Sequence, residues 1–250
     1  MLAGAPHRCD LLSGMLGSIS LSAALLLLPP RCIGADTWGG SLDVTSDYLV
    51  RGISRSDDRP ALQLDLHYLD SSGFLADFFT SSTQIGPHAK RDAELSAFLG
   101  YLRTIGSDWQ GKVIAGNYSY PWNHAGSLYN YDEIDLEMDY RSWFRVILTY
   151  SPDTRRYYYD RGVVRVGAEA VEADVQRPVL GKLSAIAGVG YYQLSGAGAV
   201  GYAYGSIGAA YDLAPLAFAL SYIRAGGEAN GEFYDAATGG RWCGTIIWRF

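Results

Sequence analysis

Lysine is scarce in this 250-residue sequence: Lys90, Lys112 and Lys182 are the only ones among 20 basic residues, set against 26 acidic ones. With a formal charge of −6, the chain has no basic field for a phosphate backbone, and no nucleic-acid partner is expected. Cysteine is as rare, with three in all. Beyond the first 35 residues there is no apolar run of the roughly 20 residues that a membrane-crossing helix needs, which excludes a helical membrane protein. What the sequence has in quantity is tyrosine (19), glycine (30) and apolar residues generally (48%), a composition that excludes disorder and collagen-like structure. Two classes fit: a soluble all-β domain, or a β-barrel in an outer membrane.

Residues 1–35 read as an export signal. His7 and Arg8 sit in a short n-region, an apolar stretch runs from Met15 to Leu28, and Pro29-Pro30 break it before Gly34-Ala35 offer a cleavage point. No lipobox precedes Cys32, because Pro30-Arg31 occupy its small-residue positions. Cleavage removes Arg8, Arg31 and Asp10, leaving 18 basic and 25 acidic residues and a net charge of −7. It also leaves Cys243 alone, so the mature domain, 36–250, has no disulfide to make and no thiolate zinc site.

The mature chain alternates with strand period. Leu62, Leu64, Leu66 and Tyr68 oppose Gln63, Asp65 and His67; Ile134, Leu136, Met138 and Tyr140 oppose Glu133, Asp135, Glu137 and Asp139; Leu216, Phe218, Leu220 and Tyr222 oppose Ala217, Ala219 and Ser221. Such runs are strands with one apolar and one polar or small face. Turn signals (Asp70-Ser-Ser-Gly73, Gly106-Ser-Asp108, Arg177-Pro178 with Gly181, Ala214-Pro215) divide the chain into strands at about 41–52, 61–69, 74–81, 93–104, 109–120, 131–140, 144–150, 160–174, 183–194, 201–212, 216–225 and 240–250. Short connectors alternate with longer ones. An up-and-down membrane barrel has this pattern: an even strand number, strands of roughly 9–11 residues, tight turns at one end and longer loops at the other. A soluble sandwich has no reason for it. The expected fold is therefore an all-β, twelve-stranded antiparallel barrel. The final strand places Trp242, Gly244, Ile246, Trp248 and Phe250 on one face, and Trp248 with the terminal Phe250 reads as the aromatic signal that barrel-assembly machinery recognises.

The stretch Ser46-Asp47-Tyr48, Arg51-Gly52-Ile53-Ser54, Ser56 and Pro60-Ala61 resembles the opening of the TorF-type porin family of proteobacterial outer-membrane proteins. Tyr68, Gly73-Phe74, Glu94 with Gly100-Tyr101, Tyr120-Pro121, and Tyr131 with Glu133 fit it too; Phe79-Thr80-Ser81 stands where a Trp-Ser pair is expected. The resemblance implies an outer-membrane location and a barrel fold more strongly than it implies transport.

The sharpest polar feature is the acidic column Glu133, Asp135, Glu137 and Asp139. Charge facing lipid is heavily penalised, so the column faces the lumen. The turn at 141–143 sets Asp139 opposite Arg145, and Arg161 and Arg165 share a face of the next strand with Glu169. Asp65, His67, Asp77 and Glu94 complete the expected pore-lining set. The column can act as a filter biasing passage toward cations, or as a salt-bridge ladder bracing a narrow barrel, and the two are compatible.

Other motifs give less. His67 is the one luminal histidine, with His88 and His124 in external loops, and no nucleophile-elbow motif is present. Gly196-Ala-Gly198-Ala-Val-Gly201 matches a dinucleotide-binding pattern, but a strand follows where that motif needs a helix N-terminus. Tyr157-Tyr158-Tyr159 beside Arg155-Arg156 reads as part of an interfacial girdle rather than a ring-binding site.

The expectation is a non-enzymatic outer-membrane channel for passive diffusion of small hydrophilic solutes, with membrane lipid and assembly machinery as partners and no metal or cofactor. Two alternatives stay open: a non-conducting structural or interaction barrel, and a barrel-embedded lipid hydrolase built on His67.

Overall fold

The computed structural model describes residues 36–85, 90–123, 129–158, 162–196, 201–227, 229 and 240–250. The signal segment 1–35 lies outside the described residues. The barrel strands are β1 (Thr37–Thr45), β4 (Ala61–Leu69), β5 (Phe74–Thr83), β6 (Asp92–Ile105), β7 (Trp109–Ser119), β8 (Tyr131–Tyr140), β9 (Phe144–Tyr158), β10 (Gly162–Leu180), β11 (Leu183–Leu194), β12 (Gly201–Leu213), β13 (Leu216–Ala225) and β14 (Arg241–Arg249). Each pairs antiparallel with its sequence neighbours, and β1 closes the sheet on β14 through Ser41↔Arg249 to Thr45↔Thr245. This is the twelve-stranded barrel that the alternation implied. Two short segments, β2 (Leu49–Val50) and β3 (Ile53–Ser54), form a separate two-stranded sheet between β1 and β4.

The faces sort as the two-residue period requires. On β4, Ala61, Gln63, Asp65, His67 and Leu69 are buried while Leu62 and Leu66 are exposed. Ile134, Leu136 and Met138 of β8 point outward, and Val189 and Ile207 are 64% and 65% exposed. A continuous apolar outer face of this extent does not survive in water. It fits a hydrocarbon surround, where closure of the barrel satisfies every strand edge. Among the described residues no helix is long and apolar enough to cross a membrane. Paired aromatics rim the short-turn end: Trp38 with Tyr68 at 4.5 Å between centroids, Trp109 with Tyr140 at 4.8 Å, and Trp248 with Phe250 at 5.5 Å.

The short turns have identifiable chemistry. Asp70 accepts hydrogen bonds at Oδ1 from the Ser72 hydroxyl (2.7 Å), Ser72 N (2.8 Å) and Phe74 N (2.9 Å), and these hold its carboxyl below the usual carboxylate range, the Ser72 hydroxyl foremost. Across two neighbouring turns, Arg141 Nε donates to Asp108 Oδ1 at 2.8 Å, and this bond, foremost, lowers the Asp108 carboxyl as well.

Two of the boundaries that differ from the sequence reading shape the inward segment and the β10–β11 turn. The first strand, expected over 41–52, ends at Thr45. Past it, Asp47 accepts from the Ser54 and Ser56 hydroxyls at 2.6 and 2.8 Å, and these bonds fold the chain back on itself inside the barrel. The connector expected over Arg177-Pro178 with Gly181 narrows to its glycine end, because β10 runs on to Leu180. Pro178 sits in β10 opposite Ser184, next to a register irregularity, and a proline at a strand end beside a bulge costs no ladder bond. The chain reverses at Gly181, whose φ of 56° is in the left-handed region.

Candidate functional site

The segment between β1 and β4 enters the barrel from the long-loop end and meets the charged wall. Its tip is the two-residue turn Arg51-Gly52 joining β2 to β3, with φ values of 50° and 76°. Left-handed φ at both central residues is the hairpin geometry that matches strand twist, and Gly52 suits it. A Cβ at Gly52 would stand 2.9 Å from the Ala225 Cβ, so only glycine passes the β13 wall. Arg51 has no such freedom, and a non-glycine residue held there is strained unless its surroundings secure it. They do. Arg51 Nη1 and Nη2 donate to Glu133 Oε1 and Oε2 at 2.7 and 3.1 Å, and Nε donates to Glu172 Oε1 at 3.3 Å. The guanidinium also stands over the Tyr192 ring, 5.2 Å from its centroid. One side chain thus ties the inward segment to β8, β10 and β11.

The rest of the segment is anchored as firmly. Tyr48 donates its hydroxyl to Glu94 Oε1 at 3.0 Å, and Tyr120 donates to Glu94 Oε2 at 2.6 Å. Glu94 is fully buried between them. Ser56 Oγ accepts from Tyr48 N at 2.9 Å. Arg241 of β14 donates to Asp47 Oδ2 at 3.0 Å and also contacts Asp58. Ser46 continues the β1–β14 pairing with Gly244, and Pro60-Ala61 leads into β4. The opening stretch quoted for the family resemblance, Ser46 to Pro60, is therefore the inward segment itself.

A second charged level lies nearer the short-turn end. Lys112 of β7 donates from Nζ to Glu137 Oε2 at 2.7 Å and reaches Asp139 Oδ2 at 3.0 Å, while Arg145 Nε donates to Asp139 Oδ1 at 2.5 Å. Asp135 lies between the two levels and accepts from the Thr149 hydroxyl at 2.5 Å. The acidic column is buried along its whole length, as are Glu172 and Asp174 of β10 facing it. The far wall carries Asp65 and His67 of β4, with Asp77 of β5 opposite His67. Tyr192, Tyr202 and Tyr204 fill the side formed by β11 and β12.

Of the residues singled out in sequence, Asp65, His67, Asp77, Glu94, Glu133, Asp135, Glu137, Asp139 and Arg145 all sit on the inner face. Arg161 lies outside the described residues, as do His88, His124, Tyr159 and most of the 196–201 glycine segment. Arg165 and Glu169 require correction. Both are exposed, on the β10 face that also carries the outward Val171, and Arg165 pairs with Asp153 of β9 outside the bore. The opposite parity of that strand, Glu172 and Asp174, supplies the luminal charges. Lys112 and Glu172 are the functional residues that sequence reasoning missed, and Arg51, quoted there only as part of the family motif, was not read as luminal. Strand alternation through Val171 and Ala173 could have found Glu172, but nothing in the motif around Arg51 says that its side chain enters the lumen.

His67 Nδ1 lies 2.8 Å from Asp65 Oδ1, and among the described residues no serine hydroxyl bonds to it. The Tyr157 backbone belongs to β9 opposite Val163, a strand rather than the loop expected at 151–159.

Solved structures share this architecture at low identity. The NanC porin superposes with a TM-score of 0.56 at 8% identity, over 84% of this chain and 98% of that one. A membrane protein from a study of in-meso crystallization gives 0.52 at 12% identity, over 85% and 83%. Both likenesses are of fold alone, the closed β-barrel of a membrane protein. In sequence, no curated protein matches. Residues 33–249 match the model of a family described as "Bacterial protein of unknown function (Gcw_chp)".

Proposed function

Since the chain belongs to the Gcw_chp family of bacterial proteins of unknown function, we propose its role from geometry: a narrow outer-membrane channel for small hydrophilic solutes, constricted on the external side by its own 46–60 segment and biased toward cations. The observation that carries this is the carboxylate ladder running down β8 inside the barrel, from Glu133 at the inward hairpin to Asp139 near the short turns, with Arg51, Lys112 and Arg145 set between its members. A lumen meant only to be packed has no need of such a ladder, because apolar residues of the same volume fill a core at least as stably. The lumen carries more acid than base, and in a narrow bore that excess attracts cations by Coulomb forces. The porin fold and the resemblance of residues 46–61 to TorF-type porins support the same reading. In this orientation the long loops face outward and the tight turns face the periplasm.

A second reading, a barrel held shut, is favoured by the Arg51 tie itself. Planar-bilayer recording of the purified protein separates the two. Discrete conductance steps with a reversal potential on the cation side support the channel, and a silent barrel supports the closed structural role.

A further inference from the structure

We propose that Asp65, His67 and Asp77 form a binding site for a divalent transition-metal ion of the zinc class on the inner wall near the short-turn end.

The topology builds the site. Asp65 and His67 are two apart on β4 and so share its inner face, and Asp77 of β5 is the cross-strand partner of His67. One ligand atom from each, a ring nitrogen and two carboxylate oxygens, lies within 4.8 Å of the others. A tetrahedral ion with bonds of about 2.1 Å holds its ligand atoms about 3.4 Å apart. The side chains therefore need to draw in by about an ångström, a torsional adjustment. His67 already sits 2.8 Å from Asp65. Gly39, opposite His67 on β1, leaves the space beside Nε2 that any Cβ would fill, the nearest approach being 2.6 Å.

The independent observation is the state of the oxygens. Asp65 is 3% exposed and His67 7%. Asp65 Oδ2 and Asp77 Oδ1 are buried and, among the described residues, no donor reaches either. Several other luminal acids meet a basic side chain: Arg51 for Glu133 and Glu172, Lys112 and Arg145 for Glu137 and Asp139, Arg249 for Asp212. Within the described residues Asp43, Asp135 and Asp174 do not, and what sets Asp65 and Asp77 apart from these is the imidazole standing among their oxygens. Among the described residues no lysine or arginine pairs with Asp65 or Asp77. Two adjacent luminal carboxylates, each with an orphaned buried oxygen, need a positive charge. A divalent ion supplies it, and the imidazole selects a borderline transition metal over calcium or magnesium, which prefer all-oxygen shells. Luminal water completes the coordination. The competing way to neutralise the pair is a proton shared between the carboxylates, which leaves no affinity for metal.

The test is zinc titration of the purified full-length barrel in detergent, by calorimetry and by competition with a chromophoric chelator. One zinc per chain is expected, weakened at least about tenfold in His67→Gln, Asp65→Asn and Asp77→Asn. Gln63→Ala, one step up the same face of β4, should bind as wild type does. Heat-modifiable gel migration verifies that each variant is folded. X-ray absorption at the zinc edge reads the ligand set of the wild type with no variant at all: a nitrogen and oxygen shell with imidazole scattering is expected. No binding by wild type, unchanged binding in the three site variants, loss in Gln63→Ala, or a sulfur ligand from Cys243 would each overturn the proposal. None of these readouts depends on conductance.

Discussion

Arg51 and Glu133, 82 positions apart in sequence, meet inside the barrel in a two-bond fork of 2.7 and 3.1 Å. The arginine comes from a connector and the glutamate from the wall, so the pair fixes where the inward segment rests. Its environment is nearly dry, with the two side chains 5% and 3% exposed.

Removing one partner of such a pair leaves the other charge buried and uncompensated, a loss of about 3–5 kcal/mol. Arg51→Ala is expected to unfold earlier than wild type in denaturant or heat, followed by the gel shift between folded and unfolded barrel. Arg51→Lys keeps the charge but cannot reproduce the fork, and should fall between the two.

Gly52 gives a second, purely conformational handle on the same segment. Alanine there meets both a left-handed φ of 76° and the Ala225 methyl. Gly52→Ala is expected to destabilise the barrel by more than about 1 kcal/mol. Gly106 is a fair control: its φ is also positive, but nothing lies within 4 Å of a Cβ built on it, so Gly106→Ala should lose only the backbone part.

The sorting of faces is testable with single charges. Ile207→Arg and Leu136→Arg place a cation on the outer, lipid-facing surface, where the cost at mid-depth is about 2–4 kcal/mol. Refolding into lipid vesicles should fall for both. Serine at the same positions should refold nearly as wild type.

Asp135 is the cleanest probe of selectivity, because the contact it makes is to the Thr149 hydroxyl rather than to a basic side chain. Asp135→Asn keeps the shape of the wall and removes an ionisable carboxyl without stranding a partner. A charge a few ångströms from a passing ion in water-like surroundings contributes about 1 kcal/mol, or roughly fivefold in preference. The reversal potential under a salt gradient should move toward zero by a corresponding amount, and Glu133→Gln should move it less, since Arg51 already offsets that carboxylate.

How much of this was legible in the sequence depended on distance along the chain. The inward column Glu133 to Asp139 was plain, because ten residues of β8 alternate without a break. The parity of β10 was not. Arg165 and Glu169 are polar and share a face, which invites a luminal reading, but they lie toward the loop end of a 19-residue strand, longer than a bilayer requires, where an outward charge meets water. The rule that polar faces point inward holds only within the hydrocarbon band. Arg51 was out of reach for a different reason. A connector residue becomes luminal only because Asp47, Ser54 and Ser56 turn the segment inward and Glu133 and Glu172 receive it, and those contacts span up to 121 positions.

The most direct test of the central claim is single-channel recording of wild type and Arg51→Ala side by side in planar bilayers. A channel constricted by the 46–60 segment gives small, discrete, cation-preferring steps in the wild type and clearly larger steps once the Arg51 tie is cut. Silence from both proteins, each verified as folded, would contradict the channel, and equal step sizes would contradict the constriction.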